Sequence, residues 1–260
     1  PLYDGLYYVD YAEGIYIGYK WYETADAEGY WDGVDNEYGT GYDGVVQYPF
    51  GYGLSYTEFE QDIVNTMPAA GSELTSDGQI EVTVRVTNVG DTAGKDVVQL
   101  YYTAPYTPGG IEKSSVELCG FEKTDLLQPG ESQELTITFD VEDMASYDCY
   151  DANGNDFTGY ELDPGEYRVS LMRNAHEPAG EDTSVSYTIS SGITYSTDSV
   201  TGAVVDNKFT GEDAIDGISI DGSDTDADIQ YMTRADFAGT FPAQRAADRA
   251  LTDNAKALNL

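Results

Sequence analysis

Hydrophobic and polar positions alternate strictly from residue 80 to residue 87. Ile80, Val82, Val84 and Val86 fall on one side, and Glu81, Thr83, Arg85 and Thr87 on the other. A period of two predicts a strand with one buried face. The run Asn88-Val89-Gly90-Asp91-Thr92-Ala93-Gly94 then supplies turn chemistry, because Asn and Gly tolerate left-handed backbone. A second strand is predicted at 97–102 and a third at 115–121, separated by a loop holding Pro105, Pro108, Gly109 and Gly110. After the turn Gln128-Pro129-Gly130-Glu131, Leu135, Ile137, Phe139 and Val141 alternate with Thr136, Thr138 and Asp140. Asp163-Pro164-Gly165 repeats the turn before Tyr167, Val169 and Leu171, and a last strand runs through Val185, Tyr187 and Ile189. Six or seven short strands with Pro-Gly turns over about 110 residues predict a mainly β fold, an immunoglobulin-like sandwich.

The flanks break this grammar. Of the 23 tyrosines, 13 lie in the first 60 residues, a Gly-rich stretch without regular periodicity. Such a stretch is too small to bury a core of its own. It reads as loops and short elements that finish a domain begun elsewhere or wrap around the next one. Beyond residue 190 the pattern fades again. Residues 206–228 are rich in Gly and Asp and read as a loop or linker, and from Pro242 onward the composition is helix-forming with a thin apolar face. The expected organisation is therefore an irregular region at 1–70, the sandwich at 71–190 and an acidic linker at 191–260.

Charge narrows the chemistry. The 48 acidic and 12 basic residues give a formal charge of −36, a field that repels phosphate backbones and anionic lipid. Neither nucleic acid nor membrane is expected as a partner, and no apolar run approaches the roughly 20 residues needed to span a bilayer. With His176 the single histidine, Ser-His-Asp triads, Cys-His dyads and polyhistidine metal sites are nearly excluded. In a loop beside Pro178 and Gly180, His176 itself reads as an exposed residue. Cys119 and Cys149 lack CxxC spacing and read as reduced thiols. The chain starts at Pro1 with no basic or apolar leader behind it, which sets the expectation of a mature or internal start.

Clustered carboxylates are too common in this chain to single out a catalytic pair. Two segments resemble calcium loops. Asp151-Ala152-Asn153-Gly154-Asn155-Asp156 begins like an EF-hand, but Asp156 stands where the sixth position needs Gly and Leu162 where the twelfth needs Glu. Asp224-Thr225-Asp226-Ala227-Asp228 has the same spacing, with Ile229 and Ala235 at those two places. Neither satisfies the motif, which leaves open a calcium site of another kind. No metal ligand is assigned and no cofactor is expected. Gly51-Tyr52-Gly53 is no dinucleotide fingerprint, since no third Gly follows. The aromatic N-terminal stretch admits two readings: rings that stack on neutral sugars, or rings that seal an interdomain contact.

Two of its segments carry a resemblance. Glu13-Gly14-Ile15-Tyr16-Ile17-Gly18-Tyr19-Lys20-Trp21-Tyr22-Glu23 resembles the EGIYVGYRYYD segment of glycoside hydrolase family 3. Tyr48-Pro49-Phe50-Gly51-Tyr52-Gly53-Leu54-Ser55-Tyr56-Thr57 resembles its FPFGYGLSYT signature, and the sandwich resembles the family's fibronectin type III-like domain. The Asp/Asn-rich stretch at 148–156 departs from the family pattern. The resemblance implies a parent enzyme of the β-glucosidase kind, an exo-acting glycosidase that retains configuration through two carboxylates. In that family a barrel supplies the nucleophile and an α/β sandwich the acid/base. Neither motif occurs here, so no catalytic residue is assigned. Residues 1–70 are then the end of the α/β domain, and Glu13, Trp21, Tyr22, Phe50 and Tyr52 are candidates to line or brace the interface beside the active-site mouth. The implied partners are the remaining domains and an oligosaccharide or β-glucoside substrate, in a bacterial and cytoplasmic rather than secreted setting. The stretch from Gln230 to Pro242 resembles the YLSRADWAGTFP linker of the inverted-order branch, so the parent gene is expected to continue past Leu260 into a barrel. The alternative is a free-standing sandwich module that binds neutral glycans or a protein partner.

Overall fold

The computed structural model describes residues 11–207, 209 and 230–242. The second Asp-rich loop, at 224–228, and the helix-forming stretch after Pro242 lie outside the described residues. In chain order the regular elements begin with a helix, α1 (Tyr19–Ala27), and a minimal hairpin of β1 (Asp35–Asn36) and β2 (Gly39–Thr40). Strands β3 (Phe59–Met67), β4 (Gln79–Asn88), β5 (Val97–Thr103), β6 (Glu117–Lys123) and β7 (Ser132–Asp140) follow. Then come β8 (Ser146–Asp148), β9 (Gly159–Leu162), β10 (Gly165–Met172), β11 (Ser184–Ile189) and β12 (Ile193–Tyr195), and finally a one-turn helix, α2 (Phe237–Thr240).

Two antiparallel sheets make the sandwich, one ordered β3-β4-β7 and the other β11-β10-β5-β6. The alternation at 80–87 is realised in β4, whose register sets Ile80 opposite Phe139, Val82 opposite Ile137 and Val84 opposite Leu135. All six side chains are buried. They meet Val98, Leu100 and Tyr102 of β5, Tyr167, Val169 and Leu171 of β10, and Tyr187 and Ile189 of β11 in one continuous core. The outer face of the β4/β7 pair is a polar ladder: Thr83 with Thr136, Arg85 with Glu134, and Thr87 with Ser132. This is the inside-apolar, outside-polar division that a half-solvated antiparallel sheet requires. A third small sheet, β12-β9-β8, closes one end and adds Leu162 and Tyr195 to the core.

Three details differ from the sequence pattern. β3 lies within the first sheet, so the sandwich takes in residues from Phe59, ahead of the boundary expected at 70. Its register shifts between Ile63 and Asn65, and that irregularity breaks the period by which the strand would be recognised. The third strand runs Glu117–Lys123 rather than 115–121, because the Ser115 amide is engaged by the Thr24 hydroxyl at 2.9 Å instead of by a ladder. The strand ending at Ile189 is not the last, since β12 pairs with β9 beyond it.

Asn88 works through its side chain, not through left-handed backbone. Fully buried at the end of β4, its Nδ2 donates to the carbonyls of Thr92 (2.8 Å) and Leu127 (2.9 Å). Its Oδ1 accepts from the Thr57 hydroxyl at 2.8 Å and the Gly90 amide at 3.2 Å. One amide thus ties three separated segments together. In β6, Gly120 sits where a Cβ would come within 2.5 Å of Ile137 Cγ2, so the sheets approach here only because the side chain is missing.

Asn88→Ala removes four hydrogen bonds from a fully buried position and should lower unfolding free energy by about 2–4 kcal/mol, read from urea denaturation. A variant within error of the parent would contradict the role assigned to this side chain. The Cys119 thiol donates to the Leu100 carbonyl at 3.3 Å, and burial pushes its pKa up to about 12. No disulfide joins Cys119 to Cys149. Thiol titration in denaturant should therefore count both cysteines, whereas in the folded chain Cys119 should react far more slowly than free cysteine at pH 8.

Candidate functional site

β5 does not alternate: Gln99 and Tyr101, on its outer face, are as covered as Val98 and Leu100 on the inner one. The cover is the chain ahead of the sandwich. Gln99 Nε2 donates to the Gly51 carbonyl at 3.0 Å and to the Arg173 carbonyl at 2.8 Å. Its Oε1 accepts from the Tyr101 hydroxyl at 2.9 Å, and the Ala175 amide donates to the Phe50 carbonyl at 2.8 Å. Gly51 adopts φ of +83°, and a Cβ there would lie 2.1 Å from Gln99 Oε1, so this crossing admits only glycine.

Helix α1 docks beside it through polar groups. Tyr19 stacks on Phe50 with ring centroids 4.4 Å apart and accepts from the Leu118 amide at 3.1 Å. Lys20 pairs with Glu117 at 2.6 Å, and the Thr24 hydroxyl meets the Ser115 amide. The buried residues of α1 are Glu23, Thr24 and Ala25, so the helix has no apolar stripe to betray its docked face.

Glu23 is the centre of this contact. Its carboxylate is 5% exposed, accepts from the Tyr42 hydroxyl through Oε1 and meets His176 Nδ1 at 2.9 Å through Oε2. The Tyr42 ring lies flat on the imidazole, 3.8 Å away and 7° from parallel. Asn174 Oδ1 holds the loop by accepting from the amides of His176 (2.9 Å) and Glu177 (2.8 Å). The hydrogen bond to Glu23 raises the His176 pKa against the opposing effect of burial, and the charges of Glu23, Asp26 and Glu177 add to the rise. Burial, then the Glu23 hydrogen bond, raises Tyr42. His176 is thus half-buried and paired, not the exposed loop residue its local sequence suggests. Both oxygens of Glu23 are engaged and enclosed, so no substrate atom reaches them.

A second joint lies alongside. Residues 230–242 return across α1 as a strap. Arg234 donates to Glu28 at 2.6 Å and to the Lys113 carbonyl at 3.2 Å, and its guanidinium sits 4.4 Å from the centre of the Tyr106 ring. Glu112 accepts from the Tyr16 hydroxyl, from the Arg234 amide at 2.9 Å and from Thr233 at 2.5 Å. Phe237 packs edge-on against Tyr16 at 4.9 Å and Trp21 at 4.8 Å.

The five residues singled out by sequence divide between two places. Trp21 belongs to the strap cluster, and Tyr22 stacks on Trp31, which in turn meets Trp21 edge-on. Phe50 and Tyr52 line a separate groove of about 910 Å³ with Phe121, and Lys95, Lys123 and Arg173 bring three of the chain's 12 basic residues to it. Glu13 contributes its backbone carbonyl to Tyr16. The residues that sequence reasoning missed, Glu23, Tyr42, His176, Glu112 and Arg234, meet across separations no local pattern reports. The one available signal was the missing alternation in β5. Among the described residues no three His, Cys, Asp or Glu side chains form a metal centre by themselves, and no helix is long and apolar enough to cross a membrane.

Comparison with known proteins shows what this architecture resembles. Residues 96–175 match the fibronectin type III-like domain family. The chain is 42% identical over 172 residues to β-glucosidase A of Butyrivibrio fibrisolvens, covering 63% of this chain and 19% of that protein. It is 41% identical to a β-glucosidase of Ruminococcus albus, over 64% of this chain and 15% of the relative. Among solved structures, a β-glucosidase from Paenibacillus barengoltzii superposes with a TM-score of 0.55 at 36% identity, over 70% of this chain and 18% of that one. A GH3 β-glucosidase of Bifidobacterium adolescentis gives 0.53 at 28% identity, over 74% and 24%. The chain is thus similar to the fibronectin type III-like region of β-glucosidases, one of them a GH3 enzyme. It spans less than a fifth of the two curated relatives described.

The His176–Glu23 pair makes the docked segment sensitive to pH. A histidine with a higher pKa in the folded than in the unfolded state stabilises fully below about pH 6.5, the unfolded value. That contribution fades as pH rises through the higher folded value. The urea midpoint of the parent chain should fall relative to His176→Gln between pH 6 and pH 8.5. Parallel pH profiles for the two chains would refute the coupling.

Proposed function

We propose that the chain is the docking and bracing portion of a retaining, exo-acting glycosidase of the β-glucosidase kind, and takes no direct part in bond cleavage. The observation that carries this reading is the double cover of β5. A sandwich that needed only itself would leave Gln99 and Tyr101 to solvent, whereas here they are sealed by a segment with little core of its own. That segment presents further apolar surface outward, with Leu54 at 88% and Tyr56 at 97% exposure beside Tyr48 and Tyr52. Rings and leucines displayed in this density suit a protein partner. On this reading the partner is the set of catalytic domains, residues 11–57 form the end of the α/β domain, and the strap at 230–242 locks that end to the sandwich. The substrate of the whole enzyme is a β-glucoside or short oligosaccharide. The unbridged Cys119 thiol accords with a bacterial cytoplasmic setting.

The purified 260-residue chain should release no aryl alcohol from aryl β-glucosides above the buffer rate. Turnover that glucose-like inhibitors block would overturn the assignment of a non-catalytic role. A Leu54→Ser, Tyr56→Ser double variant should keep the parent's urea midpoint while binding less of a hydrophobic dye. Unchanged dye binding would argue against a docking surface at this place.

A further inference from the structure

Neither the sandwich core nor the docking contacts account for the Asp/Asn-rich loop between β8 and β9. Its ends are held by the β8–β9 ladder, with Asp148 opposite Gly159 and Ser146 opposite Glu161. Asp148 accepts from the amides of Tyr150 (3.0 Å) and Ala152 (2.7 Å), and Asp151 Oδ1 accepts from the Asn155 amide at 2.8 Å. Folded back in this way, the loop lays two side-chain amides on carboxylates delivered by β9 and the turn beyond it. Asn153 Nδ2 donates to Glu161 Oε2 at 3.0 Å and to Asp163 Oδ1 at 3.1 Å, and Asn155 Nδ2 donates to the same Glu161 oxygen at 2.5 Å. Lys113 holds the other oxygen of Asp163.

Glu161 is the anomaly. It is 1% exposed, and its second oxygen, Oε1, is buried without a hydrogen-bond partner. A sealed carboxylate oxygen with no protein partner is rare in folded proteins and is met by a buried water or an ion. The loop bonded to the other oxygen of the same carboxylate, Oε2, carries the Asp-x-Asn-x-Asn spacing of calcium loops, and the carboxylate that fails to appear at Leu162 is supplied one residue earlier, from the strand.

We propose that this loop is a binding site for one calcium ion, held by Glu161, Asp163 and the side-chain oxygens of Asn153 and Asn155. The amides turn over to present Oδ1 in place of Nδ2, which changes their shape very little. In doing so they give up the bonds from the amides of Asn155 (3.2 Å), which keeps its shorter bond to Asp151 Oδ1, and of Phe157 (2.8 Å), where water replaces the lost oxygen. Four hard oxygen donors, two from an irregular loop and two from β9 and the turn after it, favour calcium over zinc or the smaller, strictly octahedral magnesium. Two carboxylates among them place the affinity in the weak class, Kd of about 10⁻⁴–10⁻³ M.

The test is calorimetric titration of the chelator-treated 260-residue chain with calcium chloride, with magnesium chloride and sodium chloride of matched ionic strength as controls. One saturable calcium site and a rise in Tm that the controls do not reproduce are expected. Equal responses to the three salts would mean general screening of an acidic protein and would overturn the proposal. Asn153→Asp adds a charged ligand and should tighten calcium binding several-fold, and unchanged affinity counts against the site. Glu161→Gln removes a buried charge, so in chelator it should be at least as stable as the parent, yet gain nothing from calcium. A calcium-dependent Tm rise of parental size in that variant would also overturn it.

Discussion

The structure turns on a strand that is buried on both sides. β5 gives Val98, Leu100 and Tyr102 to the sandwich core and Gln99 and Tyr101 to a second interface, and none of them tolerates solvent in the observed arrangement. In an antiparallel sandwich one face of each strand is ordinarily free to meet water. Here Gln99 instead caps two carbonyls from distant parts of the chain, and a polar group buried in that manner fixes its partners' positions, because leaving it unpaired is expensive. The crossing at Gly51, the stack of Tyr19 on Phe50 and the placement of α1 all follow from where the second face of β5 must be sealed.

The joints around that seal are made of carboxylates, hydroxyls and scarce cations. In a chain with 12 basic residues, Lys20 joins α1 to β6, Lys113 joins the 105–114 loop to Asp163, and Arg234 joins the strap to Glu28. Lys113 is almost completely enclosed, so its contribution is unlike that of the exposed Arg85–Glu134 pair, which contributes about 0–1 kcal/mol. Removing one member of an enclosed pair leaves an uncompensated charge, and that asymmetry makes such pairs strong determinants of position even where their net stabilisation is small.

Legibility in the sequence followed solvent exposure. β4 was readable because one of its faces is dry and the other wet, so burial and alternation coincide along its whole length. β3 was not, because the register shift near Ile63 interrupts the period. α1 escaped for a related reason: it docks through Lys20, Glu23 and Thr24, and a helix attached by polar groups leaves no apolar stripe. Resemblance pointed at Phe50 and Tyr52, yet the residue the geometry constrains most tightly between them is Gly51. The Glu23–His176 pair spans 153 positions, a separation at which only the folded chain brings the partners together.

A docking segment held by directional bonds differs in kind from one held by a greasy seam. Apolar contact scales with area and is indifferent to direction, so two surfaces joined by it alone can slide. Charge-assisted hydrogen bonds are short and angle-dependent, and several of them converging from different directions leave one orientation. Tyr42 and His176 approach Glu23 from the hairpin region and from the loop after β10, while Tyr16, Thr233 and Arg234 approach Glu112 from both flanks of the sandwich. Each carboxylate therefore acts as a pin through three separate stretches of chain. At the Glu23 pin the raised pKa of His176 adds a dependence on pH that the Val, Ile and Leu core does not share. The orientation of the aromatic segment is therefore set by the joints, and the stability of the chain by the sandwich.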